Sequence, residues 1–407
     1  MSAILIVGGV LSASAWLYLL FANGDFWRVR KLGLKPTQDA AQNARVVVVI
    51  PARNEVETIA RTVRSLIAQQ WAGELHIILV DDNSTDGTAE AAREALSKLS
   101  YAALREPGAP EHLPTSAKRG KKWGTNDRSL TIVQGKPLPS GWTGKMWAVS
   151  QGVDEALKLA PNYLLLTDAD IEHAPASVAN LVAKAESGFD MVSLMVRLHC
   201  RSFAERLLIP AFVFFFFMLY PPRWISDPRR KTAGAAGGCI LIRPEALARA
   251  GGIAAIRSEI IDDCALAREV KRGGGRVWLG LADETASVRP YNTFTEIGRM
   301  ISRTAFNQLG HSALVLMGAI VGLTLVYLLP IALLFAQPFT ARVLGALAWL
   351  LMALCYSQMV RFYRLSPVWA VALPASALFY MGATLVSALN YWSGRGGQWK
   401  GRAQDVG

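Results

Sequence analysis

Two aspartates one residue apart, Asp168-Ala169-Asp170, are the first candidates for chemistry in this chain. Where such a pair turns off a strand, both carboxylates can face one cleft and offer the hard oxygen donors that magnesium or manganese takes. An ion held there would neutralise a leaving diphosphate. In isolation the pair also reads as an ordinary surface turn. A second acidic group, Asp81-Asp82, could accept hydrogen bonds from a nucleotide base or from ribose hydroxyls. Asn83 and Asp86-Gly87 beside it have good turn chemistry, and the two readings are compatible.

The segments around these residues are those of an α/β domain. Val46 to Ile50 is a β-branched run ended by Pro51, as a buried parallel strand requires. Asn54 with Glu57 has the spacing of a helix cap, and Val56, Ile59, Ala60, Val63, Leu66 and Ile67 follow at helical spacing. Leu75 to Val80 reads as a second strand, Thr88 to Leu99 as a helix, and Tyr163 to Thr167 as a further strand. The alternation predicts a doubly wound, Rossmann-like, mainly parallel sheet, whose ligands bind beyond the carboxyl ends of the strands. Residues 105 to 140 carry five prolines among Lys118, Arg119, Lys121, Lys122 and Arg128, and read as an irregular loop, either disordered or a solvated charged face.

Hydrophobic residues make up 52% of the 407 and charged residues 18%, and the apolar excess sits at the two ends, which indicates a membrane protein. Ala3 to Phe21 is uncharged and long enough to span a bilayer. A signal peptide would place its charge before the apolar run, whereas Arg28, Arg30 and Lys31 come after it, so residues 1–23 are expected to be an uncleaved anchor. The basic flank puts the following domain, residues 44–310, in the cytoplasm. Leu207 to Pro222 is apolar but short, and is expected to lie at the membrane interface. Ser312 to Ala341, Val343 to Val360 and Leu365 to Gly394 can each cross, so residues 311–394 are read as about three transmembrane helices and 395–407 as a basic tail. Three crossings would place Arg395, Lys400 and Arg402 outside, against their preference, so one stretch, such as that containing Pro374, could be re-entrant. Cys200, Cys239, Cys264 and Cys355 have neither zinc nor disulfide spacing. The net charge of +12 comes without a nucleic-acid motif and points to an anionic membrane or a phosphorylated substrate.

Taken together, Val48-Val49-Ile50-Pro51-Ala52-Arg53-Asn54-Glu55, Leu79-Val80-Asp81-Asp82-Asn83-Ser84-Thr85-Asp86-Gly87-Thr88 and Asp168-Ala169-Asp170 resemble the family 2 glycosyltransferases of GT-A fold. The resemblance covers about residues 44 to 310. It implies nucleotide contacts from Pro51, Ala52, Arg53, Glu55 and Asp82, and donor and metal binding by Asp168 and Asp170, with Mg2+ or Mn2+ as cofactor. Asp262-Asp263-Cys264-Ala265-Leu266 is similar to the family's catalytic motif, which implies Asp263, with Asp262 beside it, as the general base of an inverting transfer. The same aspartates could instead cap the helix that follows. Gly141 to Lys145 resembles the segment that brings a lysine to phosphate or sugar, although Lys145 could equally be a surface lysine. Ala236-Gly237-Gly238-Cys239 looks like the family's acceptor loop, and tight packing could also demand its glycines.

The chain departs from the processive polysaccharide synthases, which carry Gln-x-x-Arg-Trp after the base. Here Arg299 to Phe306 has no tryptophan, while Arg303 could still reach the diphosphate. Transfer of a single sugar to a membrane lipid is therefore expected ahead of polymer synthesis, with a non-catalytic scaffold of transferase fold as the contrasting possibility. Trp142 to Lys145, Ile261 to Leu266 and Arg303 to Phe306 resemble the bacterial hopene-associated glycosyltransferases, which implies a hopanoid or polyisoprenoid acceptor at the bacterial inner membrane.

Overall fold

The structure is a computed structural model that describes residues 2–29, 31–32, 44–103, 128–394, 398–399 and 402–403. Lys118, Arg119, Lys121 and Lys122, and most of the tail 395–407, lie outside the described residues. The chain divides into two compact units, one formed by Leu32–Arg197 and Ala235–Arg289, the other by Met1–Lys31, Leu198–Gly234 and Pro290–Val406.

The first unit is built on one eight-stranded sheet. Its strands are β1 (Val46–Ala52), β2 (Leu75–Asp81), β3 (Arg128–Gln134), β4 (Tyr163–Thr167), β5 (Ile171–Glu172), β6 (Met191–Arg197), β7 (Cys239–Ile242) and β8 (Val277–Ser287), in the order β3-β2-β1-β4-β7-β6-β8-β5. β1 is buried along its whole length, as its valine run requires, and pairs in parallel with β2 and β4. β7 runs antiparallel to both β4 and β6, and β5 antiparallel to β8. The sheet is thus mainly parallel, as expected, with Asp81, Thr167 and Ser287 at carboxyl ends.

Two local expectations give way. The segment 105–140 contains β3, which adds in parallel to the β2 edge and is only half covered, so Leu130, Ile132 and Val133 are too few to stand out among the flanking prolines and charges. The helix after β1 begins at Ile59, behind a Thr58 whose side chain caps nothing. Asn54 instead adopts a left-handed conformation (φ 52°), which asparagine tolerates, and its Oδ1 accepts from Thr85 N–H at 3.0 Å.

In the second unit, four helices are long and apolar enough to cross a membrane: Ser2–Phe21, Ala313–Leu333, Phe339–Phe362 and Pro367–Trp392. The apolar segment expected at the interface is the helix Phe203–Leu219, which starts at a capping box of Ser202 and Glu205. Glu205 is fully buried and accepts from the backbone N–H groups of Arg201, Ser202 and Tyr291, each at 2.8 Å, and from His199 Nδ1 at 2.6 Å. Burial alone would raise its pKa, but these donors win and hold it down at about 2. This carboxylate joins the two strands of chain that lead into Phe203 and Phe294.

The helix Gly144–Leu157 lies on the sheet through Gly152, where a β-carbon would collide with Val49 and come within 2.9 Å of Val80 Cγ2. Gly152→Val is expected to destabilise the domain by about 1–3 kcal/mol, the usual cost of overpacking, read as a lowered Tm with unchanged helix content in circular dichroism.

Candidate active site

The polar residues at the carboxyl ends of β1, β2 and β4 form one surface because their loops are tied to each other. After β1, Asn54 N–H donates to Ser84 Oγ at 3.0 Å, Glu55 N–H to Thr88 Oγ1 at 2.8 Å and Val56 N–H to Asp86 Oδ2 at 3.0 Å. Asp82 N–H donates to Ala52 O at 2.8 Å, and Arg53 Nη1 donates to Asp82 O at 2.6 Å and lies 3.4 Å from Asp82 Oδ2. The Asp82 side chain is only 2% exposed. Arg53 and Asp82 thus form a buried pair rather than two separate surface groups, and Asp81 Oδ1 is used by the turn itself through Ser84 N–H.

The Asp168-Ala169-Asp170 turn is fixed at three backbone points. Asp168 N–H donates to Gly238 O at 3.4 Å, Ala169 O accepts from Thr62 Oγ1 at 2.8 Å, and Asp170 O accepts from Val288 N–H at 2.8 Å. The last bond extends the β5–β8 pairing, in which Ile171 faces Ser287. Beneath the turn, Thr167 Oγ1 donates to Gly238 O at 2.8 Å and lies 3.0 Å from His173 Nε2. Burial pushes His173 down to about 4, so it is neutral near pH 7, and its Nδ1 finds no hydrogen-bond partner among the described residues.

Lys145 stands in the first turn of its helix, after the Thr143 cap, and its Nζ lies 3.1 Å from Asp168 Oδ1 and 3.1 Å from Asp262 Oδ2. Burial would discharge this ammonium, but the nearby Asp168, Asp262 and Asp263 outweigh it and hold the lysine protonated. Asp263 follows in the first turn of the helix Asp262–Arg272, with Oδ2 accepting from Gly237 N–H at 2.8 Å and Oδ1 from Cys264 N–H at 2.7 Å. Burial and the adjacent Asp262 push Asp263 up to about 7, against the opposing pull of Lys145 and these two donors. A β-carbon at Gly237 would sit 3.4 Å from Asp263 Oδ2 and 3.5 Å from Lys145 Nζ, so glycine keeps that space open. At Gly238 the near neighbours are Val196 and Ile171, and there the requirement is packing. Pro51, Lys145, Asp168, Gly237, Asp262 and Asp263 line one open cleft of about 360 Å³.

Asp170 faces a different cation. Arg289 Nε donates to Asp170 Oδ2 at 3.0 Å, Ser287 Oγ donates to the same oxygen at 3.0 Å, and Arg289 Nη2 donates to Glu55 Oε2. Arg289 was not among the residues singled out from sequence. The signal for it is the one that exposed the aspartates, a charged residue just past the carboxyl end of a strand. Arg303 follows the helix Phe294–Ser302 in the other unit, with an exposed side chain. No group of three or more His, Cys, Asp or Glu side chains that could hold a metal occurs among the described residues. Two carboxylates do suit a site of the magnesium kind, which one or two protein carboxylates and substrate phosphates complete.

The family model of glycosyl transferase family 2 matches residues 47–108, and that of glycosyl transferase family 21 matches residues 140–407. An undecaprenyl-phosphate 4-deoxy-4-formamido-L-arabinose transferase of Salmonella paratyphi A is 28% identical over 156 residues, which are 38% of this chain and 37% of that protein. The chain therefore matches little more than a third of the length of such relatives. A mannosyltransferase from Pyrobaculum calidifontis, solved in complex with GDP-Man and Mn2+, superposes with a TM-score of 0.50 at 17% identity, over 92% of this chain and 99% of that one. The sheet has the GT-A fold.

Replacing Thr167 by valine leaves Gly238 O and His173 Nε2 without their hydroxyl partner, and is expected to cost about 1–3 kcal/mol in thermal unfolding. His173 adds a pH dependence: the unfolded chain takes up a proton near pH 6.5 that the folded protein refuses until about pH 4, so Tm falls as pH drops through that window.

Proposed function

This chain belongs to glycosyl transferase family 21, and we propose that it is an inverting, metal-dependent enzyme that moves one sugar from a nucleotide-sugar donor to a polyisoprenoid or hopanoid lipid of the membrane. The observation that carries this reading is Asp263, held by two backbone N–H groups and facing the cleft that also holds Lys145 and Asp168.

The donor's nucleotide lies along the joined loops of Pro51, Ala52, Arg53, Glu55 and Asp82, with its diphosphate toward Asp168 and Asp170. These two carboxylates would hold Mg2+ or Mn2+ together with the donor phosphates, and the bound ion supplies charge neutralisation for the leaving diphosphate. Lys145, already charged and beside Asp168, adds a second positive charge on the same side. Asp263 takes the proton of the acceptor hydroxyl as that oxygen attacks the anomeric carbon and the nucleotide diphosphate departs. Gly237 and Cys264 keep the carboxylate aimed, and the opening at Gly237 leaves room for the acceptor hydroxyl. Arg303 is assigned to the diphosphate by the family resemblance alone. The four apolar helices and the likeness to an undecaprenyl-phosphate transferase favour a lipid acceptor at the cytosolic face of the bacterial inner membrane.

Purified full-length protein is expected to release nucleotide from a sugar donor with a polyprenyl acceptor and Mn2+, and to stop on chelation by EDTA. Asp263→Asn should lose about 10²–10⁴-fold in rate while still binding donor, and Asp170→Asn should lose Mn2+ dependence together with activity. Full activity in both variants would overturn the assignment. The base works ionised, so the rate climbs with pH through the Asp263 titration near 7 in the free enzyme. Lys145 draws that titration downward, and Lys145→Met should displace the rising limb of kcat/KM to higher pH.

A further inference from the structure

From its length and hydropathy the helix Pro367–Trp392 is a fourth membrane span, with a mean hydropathy of 1.5 over its best window. Its neighbours give it a different course. The helix Ala313–Leu333 leads away from residue 313, and Phe339–Phe362 returns along it, with Gly345 so close to Pro330 and Leu333 that a β-carbon would meet Pro330 O at 2.7 Å. Phe362 therefore ends on the face from which Ala313 sets out. The helix Ser2–Phe21 finishes on that face too, since Val29 N–H donates to Gln358 Oε1 at 3.3 Å and Lys31 Nζ lies 5.8 Å from the Phe362 ring centroid.

At Arg364 the chain turns sharply, with φ 56° and a Leu365 N–H to Val360 O bond of 3.1 Å, the usual left-handed helix ending. It then doubles back beside the helix it has just left. Trp349 Nε1 donates to Val371 O at 3.2 Å, and Trp349 lies some 20 Å before Phe362 at 1.5 Å per helical residue. From there Pro367–Trp392 descends antiparallel to the helix that opened the hairpin. Met381 Sδ lies 3.9 Å from Thr324 Oγ1, Ala388 packs with Leu316 and Phe306, and Tyr391 stacks on His311 with centroids 4.1 Å apart. The partners run 324, 316, 311 as the helix runs 381, 388, 391, so Trp392 ends level with the start of Ala313–Leu333.

We infer that Pro367–Trp392 is a re-entrant element that enters one leaflet and leaves by the same face, so that the chain crosses the bilayer three times and Ser393 emerges on the face that carries Arg28, Lys31 and Arg364. The helix is built for contact with the acyl chains of a single leaflet. Ser376 Oγ donates to Leu207 O at 2.8 Å, Tyr380 OH donates to Leu208 O at 3.0 Å, and Ser387 Oγ accepts from Phe306 N–H at 3.0 Å, all from one helical face. The opposite face presents Leu378, Leu385, Leu389 and Trp392, each exposed, in continuity with the exposed leucines and valines of the spanning helices. A segment that stays on the side of its neighbouring cations also agrees with the preference of basic flanks for the cytoplasmic face.

The test is sidedness in the full chain. Gln337 and Ser393 are both exposed, and Gln337 lies in the turn between the two hairpin arms, on the far face. Gln337→Cys and Ser393→Cys, each measured against wild-type protein for the native thiols, are treated with a membrane-impermeant maleimide in right-side-out and inverted vesicles. The two sites are expected to label from opposite sides. Labelling from the same side would make the helix a true span and overturn the inference. A green fluorescent protein fused after Gly407 gives a second reading: fluorescence in bacterial cells is expected, and a dark fusion replaced by an active alkaline phosphatase fusion overturns it. No sugar transfer is measured, so either result stands apart from the fate of the transferase reading.

Discussion

The site depends on one half-buried ammonium placed among three carboxylates. Asp168 arrives off β4, and Asp262 and Asp263 open a helix much later in the chain, yet Lys145 Nζ reaches Asp168 and Asp262 at the same distance of 3.1 Å. Like charges crowded into one cleft repel, and without a counter-charge the loops that carry them would be driven apart. The lysine holds them, at the cost of staying protonated itself. Burial and the neighbouring carboxylates still lift both Asp168 and Asp263 above the ordinary carboxylate range, Asp263 to about 7. The Asp168 side and the Asp262-Asp263 side of the cleft thus share one cation, and a change of charge on either is felt by the other.

Arg289 plays the corresponding part for Asp170 and Glu55, which lie on different loops. Its place is set by β5, a two-residue strand that would be negligible but for its pairing with the end of β8. That short pairing brings Ser287 and Arg289 to the Asp170 carboxylate and ties Val288 to its backbone. Both aspartates of the acidic turn are consequently countered by protein cations before any ligand arrives. A divalent ion held there, as proposed, would compete with these cations for the same oxygens, and a donor's phosphates would offer Lys145 and Arg289 an alternative partner.

In the other unit the same rule acts with the opposite sign. Glu205 is a single carboxylate buried beside apolar helices, and it is tolerated because three backbone N–H groups and His199 satisfy it. Its low pKa comes from these donors, where the high pKa of Asp263 comes from burial and a charged neighbour. The apolar helices around it hold their few polar side chains inward against backbone carbonyls, as Ser376 and Tyr380 do, and leave leucine, valine and aromatic surface to lipid.

Sequence alone determined the elements whose signal is local. The valine run of β1, the strand end at Thr167, the apolar helices and the strand-end acidic positions 82, 168 and 170 could be read because burial on both faces, turn chemistry and hydropathy leave marks on neighbouring residues, whereas Asp263 stood out only through its resemblance to the family's motif. It did not yield β3, whose half-covered edge position dilutes its pattern, nor the left-handed Asn54, whose role is set by Thr85 and Ser84 on another loop. Arg289 carried only the faint mark of a charge just past a strand end, and His173 none: what makes them matter is Asp170 and Thr167 within hydrogen-bond reach. Which carboxylates have raised pKa values, and which residues the helix Pro367–Trp392 packs along, were likewise decided only by tertiary structure. Both depend on distances between segments remote in sequence, and Coulomb and packing forces act through those distances rather than along the chain.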